Sequence, residues 1–235
     1  MIVAIHQPQY LPWIPYFLKI LESDIFIILD SVDFQKNGLQ NRNCIKTAQG
    51  ACWLTVPVRQ RLGQKISEVE IENKINWRKK HWKTIALNYA KAKYFHLYED
   101  ELKEIYEKDW SLLSELNIHM IQLMNRWMKI STRMIRSSQL KSEGKGSNLI
   151  LNLCLEMGAT HYLSGIGGRN YLNEEEFSKH GIEIVYRQPR LPDSYIQQYP
   201  KVGFLRDISA IDILLNHEQE WRKFLNFDFT KSANC

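Results

Sequence analysis

The chain opens with MIVAIHQPQYLPWIPYFLKILESDIFIILD (residues 1–30), and this stretch decides the fold class. Ile2–Ile5 is a short apolar run that stops at Pro8, which is typical of a buried strand. A short helix is predicted over Ile14–Leu21, and Ile25–Leu29 forms a second buried strand. A strand, a helix and a second strand in this order predict a βαβ unit with parallel strands.

A second alternation of helices and strands lies between residues 147 and 186. Ser147 is predicted to cap its first helix, and Gly158 to end that helix as a C′ glycine. The predicted elements are, in order, a helix over Asn148–Met157, a strand over Thr160–Leu163, a glycine-rich turn over Ser164–Gly168, a helix over Glu174–Lys179 and a strand over Ile182–Tyr186. Together the two ends predict an α/β fold, a Rossmann-like parallel sheet flanked by helices.

The middle of the chain follows a different pattern. We predict here an inserted hairpin and a helical segment of about residues 77–128, within a single domain that covers residues 1–235. The predicted elements are a hairpin of Cys44–Lys46 and Cys52–Val58, a strand over Ser67–Ile71, a helix over Trp77–Lys91 capped by Asn76, a helix over Glu101–Met128, a strand over Ile130–Ile135 and an exposed loop over 137–147.

Composition narrows the class of protein. Among 235 residues, 31 Lys and Arg against 26 Asp and Glu give a formal charge of +5, and 44% of the residues are hydrophobic. These values exclude a disordered chain, a collagen and a coiled coil. No apolar run reaches the roughly 18–20 residues of a membrane span. Residues 1–6 do not resemble a signal peptide, so we predict a cytoplasmic protein. The modest charge argues against a dedicated nucleic-acid binder.

Four cysteines, at positions 44, 52, 154 and 235, form no CxxC pair, and we interpret them as reduced thiols. Cys154 lies among leucines and is predicted to be a core thiol, whereas Cys44 lies beside Arg42 and is the better candidate nucleophile. The sequence lacks the motifs of zinc hydrolases, serine hydrolases and metal-dependent glycosyltransferases, so we predict no metal site.

Two polar residues follow the first two predicted strands. In open α/β sheets, ligands bind outside the carboxyl ends of the strands. His6 lies there, on a loop stiffened by prolines, and is a candidate general base. Asp30 could orient His6, bind a ribose hydroxyl or hold Mg²⁺, or it could cap the following turn. Tyr10 is a second candidate for orienting His6, and Gln7 is a candidate substrate-binding residue.

Further candidate binding residues lie in three clusters. Arg42 suits bidentate recognition of a phosphate, and asparagines can bind sugar hydroxyls. A helix N-terminus attracts anions, and a glycine-rich turn lets backbone N–H groups approach a phosphate. The candidates are Asn37, Asn41, Arg42, Asn43 and Lys46 around the hairpin, Lys80 and His81 at the start of a helix, and Gly165, Gly167, Gly168, Asn170 and Tyr171 in the glycine-rich turn. His81 is also a candidate catalytic residue.

Taken together, these motifs resemble the WbqC-like protein family. The resemblance is carried, in order, by Ile5-His-Gln-Pro-Gln-Tyr-Leu-Pro-Trp, Tyr16-Phe-Leu-Lys-Ile, Phe26-Ile-Ile-Leu-Asp, Asn41-Arg-Asn, Trp53-Leu-Thr-Val-Pro-Val, Trp77 with His81, Asn88-Tyr, Tyr162-Leu-Ser-Gly and Asn170-Tyr-Leu. It spans nearly the whole chain. Cys44 stands where members often carry a larger polar or basic residue, which argues against a family-wide cysteine nucleophile. A weaker resemblance, to nucleotidyltransferase-type Rossmann-like folds, rests on His6 and the late glycine turn.

The family resemblance implies a transferase of bacterial surface-polysaccharide (O-antigen) biosynthesis. Such an enzyme would add an acyl or aminoacyl group to the amine of a nucleotide-linked amino sugar. The implied donor is activated, either a thioester on a carrier protein or an aminoacyl-tRNA, and the modest charge favours the carrier. Two alternatives remain open: an ATP-dependent amide ligase that forms an acyl-adenylate, and a non-catalytic nucleotide-sugar binding protein.

Overall fold

The computed structural model describes residues 1–188 and 191–225. Contacts divide the chain into two compact units, each assembled from separate segments. Among the described residues, the sheet unit consists of Met1–Gln7, Pro15–Val32 and 130–188. The helical unit consists of Pro8–Ile14, Asp33–Lys129 and 191–225. The single domain over residues 1–235 stays a prediction.

Regular elements cover most of the described residues. The strands are β1 (Ile2–His6), β2 (Ile25–Ile28), β3 (Arg42–Thr47), β4 (Gly50–Thr55), β5 (Val58–Arg59), β6 (Glu70–Ile71), β7 (Arg133–Arg136), β8 (His161–Gly165) and β9 (Glu183–Arg187). The helices are α1 (Ile14–Leu21), α2 (Trp77–Tyr89), α3 (Phe95–Glu107), α4 (Leu113–Trp127), α5 (Gly146–Glu156), α6 (Glu174–Lys179) and α7 (Ile211–His217).

The sheet unit contains a five-stranded, wholly parallel sheet in the order β7-β2-β1-β8-β9. In the central pairs, Ala4 lies opposite Phe26 of β2 and opposite Leu163 of β8. Counted along the chain, these strands lie in the order third, second, first, fourth, fifth, so the order reverses between β1 and β8. This is the Rossmann-type arrangement. It confirms the predicted α/β fold.

Both faces of this sheet bury apolar side chains, as expected for continuous apolar strands. Val3 and Ile27 belong to one core cluster with Leu153 of α5 and Phe177 of α6, and all four are completely buried. Phe26 precedes Ile27 in β2, and its ring centre lies 5.4 Å from that of Tyr16 in α1. The alternation of side chains along β2 thus gives one face to α5 and α6 and the other to α1.

The helical unit confirms the predicted inserted hairpin and helical segment. β3 and β4 pair antiparallel from Arg42 opposite Thr55 to Thr47 opposite Gly50, so the turn is the two residues Ala48 and Gln49. Gly50 has φ 106°, a conformation that glycine adopts without strain. α2, α3, α4 and α7 belong to the same unit, together with the short β5–β6 pair.

The predicted helix over Glu101–Met128 is wrong, because two helices, α3 and α4, occupy this region and separate at residues 108–112. Backbone pairing explains the break. The N–H of Ile71 in β6 donates to the carbonyl of Ser111, and the N–H of Leu113 donates to the carbonyl of Val69. The indole of Trp110 also donates to the carbonyl of Ile105, which ends α3 in place of a further turn.

Smaller corrections concern one strand, two caps and one loop. The predicted strand over Ser67–Ile71 is reduced to Glu70–Ile71, because residues 66–68 form a 3₁₀ turn. Asn76 precedes α2 without a capping hydrogen bond from its side chain. Ser147 lies inside α5, and its hydroxyl accepts from the N–H of Asn173. In the predicted exposed loop, Ser137 is buried instead. Gly158 follows α5 with φ 68°, as predicted for a C′ glycine.

Among the described residues, no helix combines the length and apolar character needed to cross a bilayer.

Candidate functional site

The sheet unit brings two predicted segments together at the carboxyl edge of its sheet. β1 ends at His6 and the neighbouring parallel strand β8 ends at Gly165. The strand order reverses between these two strands. Ligands of open α/β sheets bind in the crevice at such a reversal. We therefore take this edge, defined by His6, Gln7, Lys19 and residues 164–171, as the candidate site and call it the switch-point site.

The structure determines the form of the His6 imidazole. Nδ1 lies 3.0 Å from the carbonyl oxygen of Gln7, and since a carbonyl only accepts, Nδ1 carries the hydrogen. In the neutral ring, Nε2 is then the basic nitrogen. Burial, followed by the nearby Lys19 cation, lowers the pKa of His6 to about 4. The imidazole is therefore neutral at physiological pH, with a lone pair on Nε2.

Lys19 is a site residue that the sequence analysis missed. Its ammonium, on α1, donates to the carbonyl of Ile5 at 2.8 Å and lies 5.9 Å from the centre of the Tyr162 ring. Burial lowers the pKa of Lys19 to about 8. The available signal was its place in the otherwise apolar helix Ile14–Leu21, where Phe17, Leu18 and Ile20 are buried. A lysine flanked by buried residues on both sides points inward or along the protein surface, not freely into water.

The glycine-rich turn forms a 3₁₀ helix over Ile166–Asn170. A methyl group placed on Gly165 or Gly167 would meet no atom within 4 Å. On Gly168 it would lie 2.2 Å from the Ser164 hydroxyl and 2.8 Å from a methyl carbon of Leu172. Packing therefore requires glycine only at position 168. The open space beside the other two glycines, at the end of β8, is what a phosphate site in a glycine-rich turn needs.

Two tyrosines belong to this region, Tyr162 near the start of β8 and Tyr171 directly after the turn. Burial raises the pKa of both. Tyr171 is 53% exposed, and Asn170 and Gly167 are also exposed. The switch-point site thus contains the predicted His6, Gln7, Gly165, Gly167, Gly168, Asn170 and Tyr171, together with Lys19.

Asp30 is completely buried, and its carboxylate is satisfied by β7 and the turn after it. It accepts from Arg136 Nε at 2.7 Å and from the N–H and hydroxyl of Ser138, both at 2.9 Å. Ser137 donates to it at 3.2 Å. No contact among the described residues supports the predicted role in orienting His6. Asp30 instead joins the ends of β2 and β7.

Tyr10 and His81 belong to the helical unit, where they form a buried hydrogen-bonded chain. The Tyr10 hydroxyl lies 2.8 Å from His81 Nδ1 and 2.9 Å from the Tyr106 hydroxyl. Burial, followed by Lys80, lowers the pKa of His81 to about 4. The predicted catalytic roles of Tyr10 and His81 stay untested, but their hydrogen bonds explain a structural one.

Several predicted binding residues of the hairpin are buried in the helical unit. Lys46 is 1% exposed, and its ammonium donates to Gln197 at 3.1 Å and to the carbonyl of Gly203 at 2.5 Å. Asn41 donates to the carbonyl of Val56, and Asn43 donates to that of Leu11. Two of the three N–H donors of Lys46 are therefore used internally, and its phosphate-binding role stays a prediction.

The other cationic candidates are accessible. Arg42 donates to the carbonyl of Asn37 at 2.6 Å and stacks on the indole of Trp53, with 4.8 Å between the guanidinium carbon and the ring centre. Lys80 and Asn37 are exposed. These residues lie in the helical unit, so they are not part of the switch-point site as defined.

Neither candidate thiol has the depressed pKa of a nucleophile. Burial raises the pKa of Cys44, whose sulfur donates to the carbonyl of Asp207 at 3.4 Å. Burial also raises the pKa of Cys154, to about 12. Thiol activation requires the opposite shift.

Two shallow cavities accompany these elements. One, of about 560 Å³, lies between β4 and α2 in the helical unit, and the other, of about 410 Å³, lies between α5 and α6 in the sheet unit. Neither is lined by a predicted site residue. Sequence reasoning gave no signal for the larger one, because its wall combines side chains from two separate segments.

Comparison with known proteins identifies the family. The chain is 35% identical over 228 residues to "Uncharacterized protein Rv1507c" of Mycobacterium tuberculosis (strain ATCC 25618 / H37Rv), with 96% of this chain and 97% of that protein aligned. No solved structure matches the chain significantly. The model of the WbqC-like protein family matches residues 7–224, nearly the whole chain. With its Rossmann-type sheet and its motifs in the expected order, the protein belongs to the WbqC-like protein family.

Proposed function

We propose that the protein is a transferase that adds an acyl or aminoacyl group to the amine of a nucleotide-linked amino sugar, in bacterial surface-polysaccharide biosynthesis. The family resemblance suggests the reaction class. The observation that carries the proposal is the neutral His6, held at the switch point of a Rossmann-type sheet with Nε2 as its basic nitrogen. This is the position where such sheets bind nucleotides.

In the proposed reaction, the sugar amine attacks the carbonyl carbon of an activated thioester or ester. A new C–N bond forms as the C–S or C–O bond to the carrier breaks, and the carrier leaves as a thiol or alcohol. Nε2 of His6 takes the proton that the nitrogen loses and then gives it to the leaving sulfur or oxygen. Backbone N–H groups of the turn over Ile166–Asn170 stabilise either the diphosphate or the oxyanion of the tetrahedral intermediate.

A pKa of about 4 makes His6 a weak base in the free protein. A bound diphosphate would raise this pKa, because a nearby negative charge favours the protonated imidazole. Lys19 provides a cation for the same diphosphate, and its positive charge opposes part of this increase in the pKa of His6. Substrate binding would thus bring the basicity of His6 closer to what proton transfer at neutral pH requires.

Thermal-shift measurements with UDP- and dTDP-linked amino sugars, and with ATP, provide the first test. A ligand at about 100 times its Kd stabilises a protein by about 2.7 kcal/mol. We expect a shift with an amino-sugar nucleotide, a smaller shift for the same nucleotide carrying a neutral sugar, and no shift with ATP. A shift with ATP alone would replace the transferase with the ligase.

Activity separates the transferase from a binding protein. With the sugar that binds and a small thioester donor, we expect the native protein to form the amide. His6→Gln should lower its formation about 100-fold or more while leaving sugar binding measurable. Full activity of His6→Gln would remove His6 as the base. Binding without turnover by the native protein, across several donors, would overturn catalysis altogether.

A further inference from the structure

The β4–α2 groove is the cavity between β4 and α2 in the helical unit, the larger of the two described above, and the proposed reaction does not use it. Its volume is about 560 Å³, and its wall includes Cys52 and Trp53 of β4 and Lys83, Thr84 and Leu87 of α2. Trp53 is 52% exposed and Leu87 is 74% exposed. An exposed tryptophan and an exposed leucine on one concave surface are typical of a site that a partner covers.

The charge around this groove is one-sided. Residues 42–55 and 77–93, which contain the hairpin and α2, carry eight Lys and Arg and no Asp or Glu. Of these eight, Lys46 is buried and Arg78 pairs with Asp109. The whole chain has a formal charge of only +5, so the rest of the sequence is net acidic. Within the described residues, Lys79, Lys80 and Lys83 are exposed and form no ion pair that would neutralise them. The groove is therefore an apolar surface bordered by unneutralised cations.

We propose that the β4–α2 groove docks an acidic carrier protein that delivers the acyl group as a thioester. The inference rests on the proposed function for the identity of the partner, and on charge complementarity for its acidic surface. Trp53 and Leu87 form the apolar centre of the contact, and Lys79 and Lys83, one helical turn apart, form its basic border.

A protein partner explains the groove better than an RNA does. Lysines and an aromatic ring would suit a single strand of RNA. Leu87, however, is the most exposed apolar side chain of the groove, and a phosphate backbone would leave it uncovered. An apolar side chain on an acidic helix would cover it and release its hydration water. Arg42 also stacks on Trp53 and holds the indole in one orientation, which favours contact with the fixed surface of a folded protein.

Binding and turnover are measured separately to test this proposal. The probe is a purified bacterial acyl carrier protein in its apo form, titrated by calorimetry at low and at physiological salt. We expect binding that weakens as salt rises. It should weaken about tenfold in Lys79→Glu/Lys83→Glu and in Leu87→Ser. Lys145→Glu, which reverses an exposed lysine outside the groove, is the matched control and should bind as the native protein does.

The outcomes distinguish this proposal from the proposed function. Transfer from an uncharged N-acetylcysteamine thioester should be equal in the native protein and in Lys79→Glu/Lys83→Glu. Such transfer without carrier binding would overturn the docking site and leave the transferase standing. Carrier binding that depends on Leu87, without transfer from any thioester, would retain the docking site and overturn the transferase. Tighter binding of a single-stranded RNA, weakened by the same variants, would replace the carrier with RNA.

Discussion

Substitution of Gly168 tests the packing role of the glycine-rich turn separately from its proposed binding role. In Gly168→Ala, the new methyl carbon would lie 2.2 Å from Ser164 Oγ and 2.8 Å from Leu172 Cδ1, against ordinary contacts of 3.4–4 Å. Ser164 is 2% exposed and Leu172 is 8% exposed, so neither moves away freely. Overpacking of this kind costs about 1–3 kcal/mol. In a chain of this size the melting temperature should fall by roughly 2–12 °C.

The matched controls are Gly165→Ala and Gly167→Ala, whose methyl groups meet nothing within 4 Å. Alanine at a compatible position stabilises by about 0.4–1 kcal/mol, because it restricts the unfolded chain. The sign of the stability change should therefore be opposite to that of Gly168→Ala. If the two positions lie against the ligand, both controls should nevertheless weaken nucleotide binding.

A double-mutant cycle isolates the contact. Adding Ser164→Ala removes the oxygen that lies closest to the new methyl group, so it should recover part of the stability lost in Gly168→Ala. We expect a coupling energy of about 1 kcal/mol or more from denaturant unfolding. Equal stability of Gly168→Ala and Gly165→Ala, or strict additivity with Ser164→Ala, would refute the steric argument.

Three further predictions concern charged and titratable groups. Lys19→Met should raise the pKa of His6 above about 4, because it removes a nearby positive charge. The pKa should stay below 6.5, because burial is the larger cause of the shift. NMR titration of the imidazole protons measures this pKa, and an unchanged value would contradict the prediction. His81 is 4% exposed with a pKa lowered to about 4, so its contribution to stability is complete above about pH 6.5 and is lost as the pH falls towards 4. Denaturant unfolding against pH should show this loss, and His81→Gln should reduce it. Asp30→Asn should destabilise the fold by about 3–5 kcal/mol in denaturant unfolding, because it leaves Arg136 without its buried carboxylate. A change in sugar binding without a loss of stability would instead show that Asp30 belongs to the switch-point site.

The sequence predicted the sheet because its strands are continuous apolar runs with clear ends. Ile25–Ile28 is fully buried, and α1 and α6 begin and end at the predicted residues. Apolar periodicity continued across residues 108–112, however, and gave one helix where there are two. The break depends on two backbone hydrogen bonds, in which Ile71 donates to Ser111 and Leu113 donates to Val69, and such pairing between distant segments leaves no local pattern.

The candidate site was predicted in part for a similar reason. His6 and the glycine-rich turn follow strands, so the rule about strand ends located them. Lys19 was missed, and the internal hydrogen bonds of Lys46 were not predicted, because a lysine is normally assigned to solvent. Both have partners far away in sequence: Lys19 bonds the carbonyl of Ile5, and Lys46 bonds Gln197 and Gly203. Tertiary contacts, and not residue type, decide which cations are available to a ligand.

The central strand pair also determines how the chain must fold during synthesis. β1 is made long before its partner on one side, β8, because Ile2 lies opposite His161. At about 5–20 residues per second, β1 waits on the order of ten seconds or more for that partner to be translated. Until then only β2 can pair with it, and its other edge, with Val3 and Ile5, is an open template for another chain. We expect nascent chains that stop before residue 161 to aggregate or to require a chaperone, and release of β8 from the ribosome to be the step that makes the protein soluble.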